Sequence, residues 1–128
     1  MNSDEILNNL KKAMRLEIEV RKVNRFMIHT GFTYPDGDEL HILLIDDGGK
    51  WKLTDEGHTM MWASYGDGTI GSEECALNGV LNANGVKLLD GELYVIIGNN
   101  TLECIGMALR SLIQTEIQIA GLSHHTSS

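Results

Sequence analysis

The sequence has no long apolar run and no basic residue in its first nine positions. Its apolar runs, such as residues 42–45 and 93–97, are far shorter than the roughly 20 residues that cross a bilayer. Residues 1–9 contain Asp4 and Glu5 but lack the basic cluster and apolar stretch of a secretory signal. We therefore expect a cytoplasmic protein with no transmembrane helix and no membrane partner.

Cysteine is also scarce. Cys75 and Cys104 are the only two, and both fall in segments that we interpret as helix, beside apolar neighbours. In a chain without an export signal, two such cysteines are more often small buried hydrophobes than a disulfide or a metal pair. We assign them no chemistry.

Positive charge is scarce after the first 25 residues. Up to Arg25 the chain has six basic and four acidic residues, whereas the remainder has four basic and fourteen acidic residues. Such a body repels phosphate backbones, which need clustered Lys and Arg to release their counterions. Direct nucleic-acid binding by the bulk of the domain is disfavoured, although a basic strip near the N-terminus would still permit a contact there.

The composition is that of a folded protein, with 42% hydrophobic and 22% charged residues in 128 positions. We predict a single domain over residues 1–128. Its expected parts are an N-terminal helix in 1–20, a sheet with two short helices in 21–97, a C-terminal helix in 98–121 and a disordered tail in 122–128.

Local patterns predict an α+β fold. Apolar spacing indicates helices at about 3–16 and 102–120, and residues 18–31 suit one or two strands. Turn residues at 34–38 and 46–49 flank predicted strands at 39–45 and 50–53, and Thr54 is the expected N-cap of a helix reaching about residue 65. Ser72 is the expected cap of a further helix. Asp90-Gly91 favours a type I′ hairpin between strands 86–89 and 92–97. We expect a mostly antiparallel sheet with the terminal helices packed on one face.

Two motifs carry a family resemblance. Residues 32–38 read Phe-Thr-Tyr-Pro-Asp-Gly-Asp, and residues 51–57 read Trp-Lys-Leu-Thr-Asp-Glu-Gly. In these motifs, and over about residues 23–97, the chain resembles a bacterial and phage family known as domain of unknown function 1828. The resemblance implies an intracellular domain often carried by prophages and mobile elements, and it implies no reaction.

One group of residues has the chemistry of a metal site: Asp36, Asp38, Asp55 and His58, with Glu56 beside them. Carboxylates on adjacent loops can bind Mg²⁺ or Mn²⁺ for phosphodiester or phosphate hydrolysis. The alternative is that the first pair shapes a turn and the second caps a helix. His29 and His41 fall in predicted strands, where an isolated imidazole is more often structural than catalytic. We assign no catalytic residue and no cofactor.

An apolar group suggests a contact surface. Met60, Met61 and Trp62 are consecutive on a short predicted helix, so they cannot all face one core. Met and Trp are enriched at interfaces, and Trp51 and Tyr34 would extend the same surface. The alternative is that the three consecutive residues are buried between the sheet and the terminal helix.

Three functions remain open. The favoured hypothesis is a non-enzymatic acidic interaction protein, a phage or mobile-element accessory factor that binds and modulates a host protein such as a defence or nucleic-acid-binding factor. Its acidic body would compete for the basic groove of such a target. The alternatives are a small metal-dependent hydrolase and a homodimeric regulatory or structural module paired through an edge strand or the C-terminal helix.

Overall fold

A computed structural model describes residues 3–14, 16–64, 74–98 and 101–126. It confirms the α+β class, with a six-stranded antiparallel sheet and helices at both ends of the chain. The elements are α1 (Ser3–Met14), β1 (Glu17–Lys22), β2 (Arg25–His29), β3 (Leu43–Asp47), β4 (Lys50–Thr54), α2 (His58–Ser64), α3 (Glu74–Asn84), β5 (Lys87–Leu89), β6 (Glu92–Ile97) and α4 (Leu102–Thr126).

Three hairpins build the sheet, whose strand order is β1-β2-β3-β4-β6-β5. Every neighbouring pair is antiparallel, and β6 joins the centre by pairing with β4. At the tip of the β5–β6 hairpin, Asp90 and Gly91 have φ of 52° and 82°. A type I′ turn needs positive φ at both central residues, so the predicted hairpin is confirmed.

The core lies between one face of the sheet and the helices. Ile28, Leu44, Leu53 and Leu93 project from four neighbouring strands and are fully buried. They belong to the same cluster as the apolar side of α4, which is buried at Ile105, Leu109 and Leu112. Burial of each such side chain is worth about 1.5–3 kcal/mol, so this layer fixes α4 across the sheet.

Several predicted boundaries are wrong. The strand expected from residue 39 begins at Leu43, and only an isolated bridge joins Thr33 to Glu39 before it. The helix expected at residue 55 begins at His58, because Thr54 still pairs within the sheet and Glu56 and Gly57 have φ of 53° and 83°. Left-handed backbone is incompatible with a continuous α-helix.

The two terminal helices also differ from their predicted ends. α1 ends at Met14 rather than near residue 16, and α4 continues to Thr126, into the segment expected to be a disordered tail. α4 is capped by Thr101, whose Oγ1 accepts the backbone N–H of Cys104 at 3.2 Å. The sequence also predicts a loop at the glycines of residues 66–71 and an N-cap at Asn100. These two features and the predicted cap at Ser72 lie outside the described residues. None of the helices described is long and apolar enough to cross a bilayer.

Candidate interaction surface

The turn at residues 34–38 and helix α2 form one surface, which we call the turn–helix surface. The Trp62 ring stacks on Tyr34 with centroids 5.4 Å apart, and its Nε1 donates to Asp36 Oδ2 at 2.9 Å. The other Asp36 oxygen accepts the Asp38 N–H at 3.0 Å. These hydrogen bonds, the Asp38 N–H first, lower the pKa of the Asp36 carboxyl. An exposed carboxylate is thereby held against the helix.

The five residues proposed for contact differ in the exposed fraction of their side chains. Met61 is 50% exposed, while Met60 and Trp62 are half-buried and pack against the core. Trp51 and Tyr34 are 2% and 5% exposed. Both side chains therefore lie in the core and do not extend the turn–helix surface, although Tyr34 supports it from within through its stack on Trp62.

The four residues of the predicted metal site do not form one group. Asp36 bonds to Trp62 and the Asp38 N–H, whereas Asp55 is buried and bonds to backbone amides. His58 stacks on His41, with ring centroids 3.7 Å apart. Within the described ranges, no three His, Cys, Asp or Glu side chains are placed to hold a metal ion. The convergence that the metal hypothesis required is not observed there.

Asp55 joins the end of β4 to the start of α2 and to β6. Its Oδ1 accepts the N–H groups of Gly57 at 2.8 Å and Leu93 at 3.0 Å, and its Oδ2 accepts that of Thr59 at 3.0 Å. The side chain is fully buried. Three backbone donors compensate for the removal of this carboxylate from water. The hypothesis that Asp55 has a structural role at the helix start therefore accounts for its contacts.

A second buried carboxyl, Glu116 on α4, was missed by the sequence analysis. Its Oε1 lies 3.0 Å from the hydroxyl oxygen of Tyr34 and 3.0 Å from that of Thr59, and those two hydroxyl oxygens lie 2.8 Å apart. Burial, and then the charge of Asp55, raise the pKa of Glu116 to about 9. Burial also raises the pKa of Tyr34. The signal in the sequence was position: Glu116 follows Leu112 and Ile113 at helical spacing, on the apolar side of α4.

His29 and His41, the two histidines expected in strands, are both engaged by carboxylates, although only His29 lies in a strand. His29 lies between Glu39 and Glu19, with contacts of 2.7 and 3.0 Å, and these raise its pKa. His41 Nε2 lies 2.9 Å from Glu56 Oε1. The neighbouring His58 has a lowered pKa because of burial, and then because of the charge on His41. The structural role expected for His29 and His41 accounts for these contacts.

Comparison with protein-family models gives a match to "Domain of unknown function DUF1828" over residues 30–119. This chain belongs to that family. The DUF1828 match begins at residue 30 rather than about 23, and it continues past residue 97 through most of α4. It therefore spans Tyr34, Asp55, Thr59 and Glu116 together. No curated protein and no solved structure matches the chain.

Proposed function

We propose that this DUF1828 protein is a non-enzymatic, acidic interaction protein of the cytoplasm, a phage or mobile-element accessory factor that binds and modulates a host protein through the turn–helix surface. The observation that carries the proposal is the bond between Trp62 and Asp36. It holds exposed acidic residues of the turn beside the exposed side of α2.

The geometry suits a rigid contact surface. The turn is closed by backbone bonds from Tyr34 N–H to Asp38 C=O at 2.8 Å and from Gly37 N–H to Tyr34 C=O at 2.9 Å. The Tyr34 ring that supports it is anchored in the core. A surface that is already ordered loses less conformational entropy when it binds.

Charge and apolar area favour a basic partner. Asp36 and Asp38 are exposed on the turn, and Met61 offers an adaptable apolar side chain on the adjoining helix. Acidic side chains at the rim of a contact accelerate association with a basic surface, and salt screens that attraction. A host factor that normally binds nucleic acid has such a surface.

Affinity capture from a host lysate tests the proposal, with the wild type compared with Asp38→Lys and Met61→Ser. We expect a specific host protein in the wild-type eluate, lost at high salt and strongly depleted with either variant. Met107→Ser is the matched control, because Met107 is also an exposed methionine, at 65%, but lies on α4. The proposal fails if no specific protein is captured, or if capture is insensitive to salt and to both surface variants.

A further inference from the structure

A second feature lies on the face of the sheet opposite the helical core. Ile28 and Leu44 point into the core, and side chains alternate along a strand. The neighbouring Met27 and Leu43 therefore point to the other face, where they line a concavity of about 290 Å³. Both are nearly fully buried, at 6% and 4% exposed, so they form an apolar floor.

Three cations surround this floor: Arg21, Lys22 and Arg25. Arg21 and Lys22 are consecutive and would point to opposite faces of a regular strand. The register of β1 against β2 shifts between Val20 and Lys22, as in a β-bulge, and a bulge redirects side chains. The irregularity in β1 accounts for both cations lining the same concavity.

The ion pairs already present are weak competitors for an anion. Arg21 Nε lies 3.5 Å from Glu19 Oε2, and Arg25 Nη1 lies 3.6 Å from Glu56 Oε2, with all four side chains about half exposed. Exposed pairs at such distances contribute little. Glu56 itself lines the concavity, held there on left-handed backbone and by its contact with His41.

We propose that this concavity binds a small organic phosphate, with the phosphate oxygens held by Arg21, Lys22 and Arg25 and an apolar or planar group resting on Met27 and Leu43. A phosphate dianion suits several convergent cations, and the guanidinium group offers paired donors to its oxygens. The small volume fits one phosphate group and its substituent. An extended polynucleotide would also meet the acidic body of the chain.

Isothermal titration calorimetry on the full chain tests this, with adenosine monophosphate, inorganic phosphate, adenosine and a single-stranded oligonucleotide as probes. We expect adenosine monophosphate to bind most tightly, inorganic phosphate more weakly, and adenosine least. Arg25→Gln and Lys22→Gln should each weaken adenosine monophosphate binding roughly tenfold, because each removes a charged donor. Glu56→Gln should tighten binding, because it removes the negative charge from the concavity.

Lys87→Gln is the matched control. Lys87 is exposed on β5, at the other edge of the sheet. Its substitution by glutamine removes the same positive charge as the Lys22 and Arg25 variants, but outside the concavity. The proposal is overturned if adenosine binds as tightly as its monophosphate, if the Lys22 and Arg25 variants bind like the Lys87 control, or if only a single-stranded oligonucleotide binds. It does not depend on the host-protein proposal, which concerns the turn–helix surface.

Discussion

Asp55 and Glu116 are both fully buried carboxyl groups, yet their surroundings favour different charge states. Asp55 lies at the strand–helix junction, where three backbone N–H groups point at its two oxygens. Glu116 lies on α4, where two hydroxyls reach one oxygen and Oε2 has no hydrogen-bond partner among the described residues. The first environment suits an anion, and the second suits a neutral acid.

A count of hydrogens supports the neutral form of Glu116. The oxygens of Tyr34, Thr59 and Glu116 Oε1 lie within 2.8 to 3.0 Å of one another, which makes three contacts. Two hydroxyls supply only two hydrogens. If Oε1 carries a proton, each of the three oxygens donates once and accepts once around a closed ring. The raised pKa agrees with this arrangement.

Removal of the Asp55 acceptor should give the largest effect. Asp55→Ala leaves the N–H groups of Gly57, Thr59 and Leu93 without this partner, at a cost of roughly 3–5 kcal/mol in the free energy of unfolding. Asp55→Asn retains one acceptor oxygen and should cost less. Urea denaturation measures both. Equal stability of Asp55→Ala and wild type would show that the junction does not depend on these bonds.

Glu116→Gln should stabilise the protein in a pH-dependent way. The folded pKa of Glu116, about 9, exceeds its ordinary value of 4.5. Between these two pH values the folded state holds a proton on Glu116 that the unfolded state has lost, so the free energy of unfolding falls as pH rises from 4.5 to about 9. The slope is at most about 1.4 kcal/mol per pH unit. Glutamine has no such proton, so its advantage should be absent below about pH 4.5 and reach about 3 kcal/mol near neutral pH.

The measurement is the difference in unfolding free energy between Glu116→Gln and wild type at acid, neutral and alkaline pH. Taking the difference cancels the titration of the other groups, including His29. A difference that stays constant across this range would mean that Glu116 is ionised in the folded protein. The Asp55→Asn variant offers a second check. Loss of the Asp55 charge should lower the pKa of Glu116, so the pH range over which stability depends on Glu116 should become narrower.

Tyr34→Phe should have the smallest effect of the three. It removes one member of the hydroxyl ring and keeps the aromatic stack on Trp62, so we expect a loss of about 1 kcal/mol, seen as a modest fall in Tm. Tyr94→Phe is the control, since the Tyr94 ring lies under Lys52 on the opposite face of the sheet. A Tyr34 variant no less stable than the Tyr94 variant would argue against the ring of hydrogen bonds.

Sequence reasoning succeeded where the determinant is local. The Asp90-Gly91 turn specifies its own backbone, and the apolar spacing of α4 specifies a buried side, so the hairpin and the helix were predicted. Sequence reasoning failed where the partner is remote. Asp55 depends on Leu93, 38 residues away, and Glu116 depends on Tyr34, 82 residues away. No local pattern reports such a pairing, and Asp55 was open to both metal and capping interpretations.

The hydrogen bonds of Asp55 have a consequence for the order of folding. The bonds that Asp55 accepts from Gly57 and Thr59 are local, but the burial of its carboxylate is fully compensated only when β6 pairs with β4 and brings the Leu93 N–H to it. Closure of that loop has an entropic cost that precedes the gain from the contact. We therefore expect the start of α2 to become firmly structured only after the β5–β6 hairpin has docked.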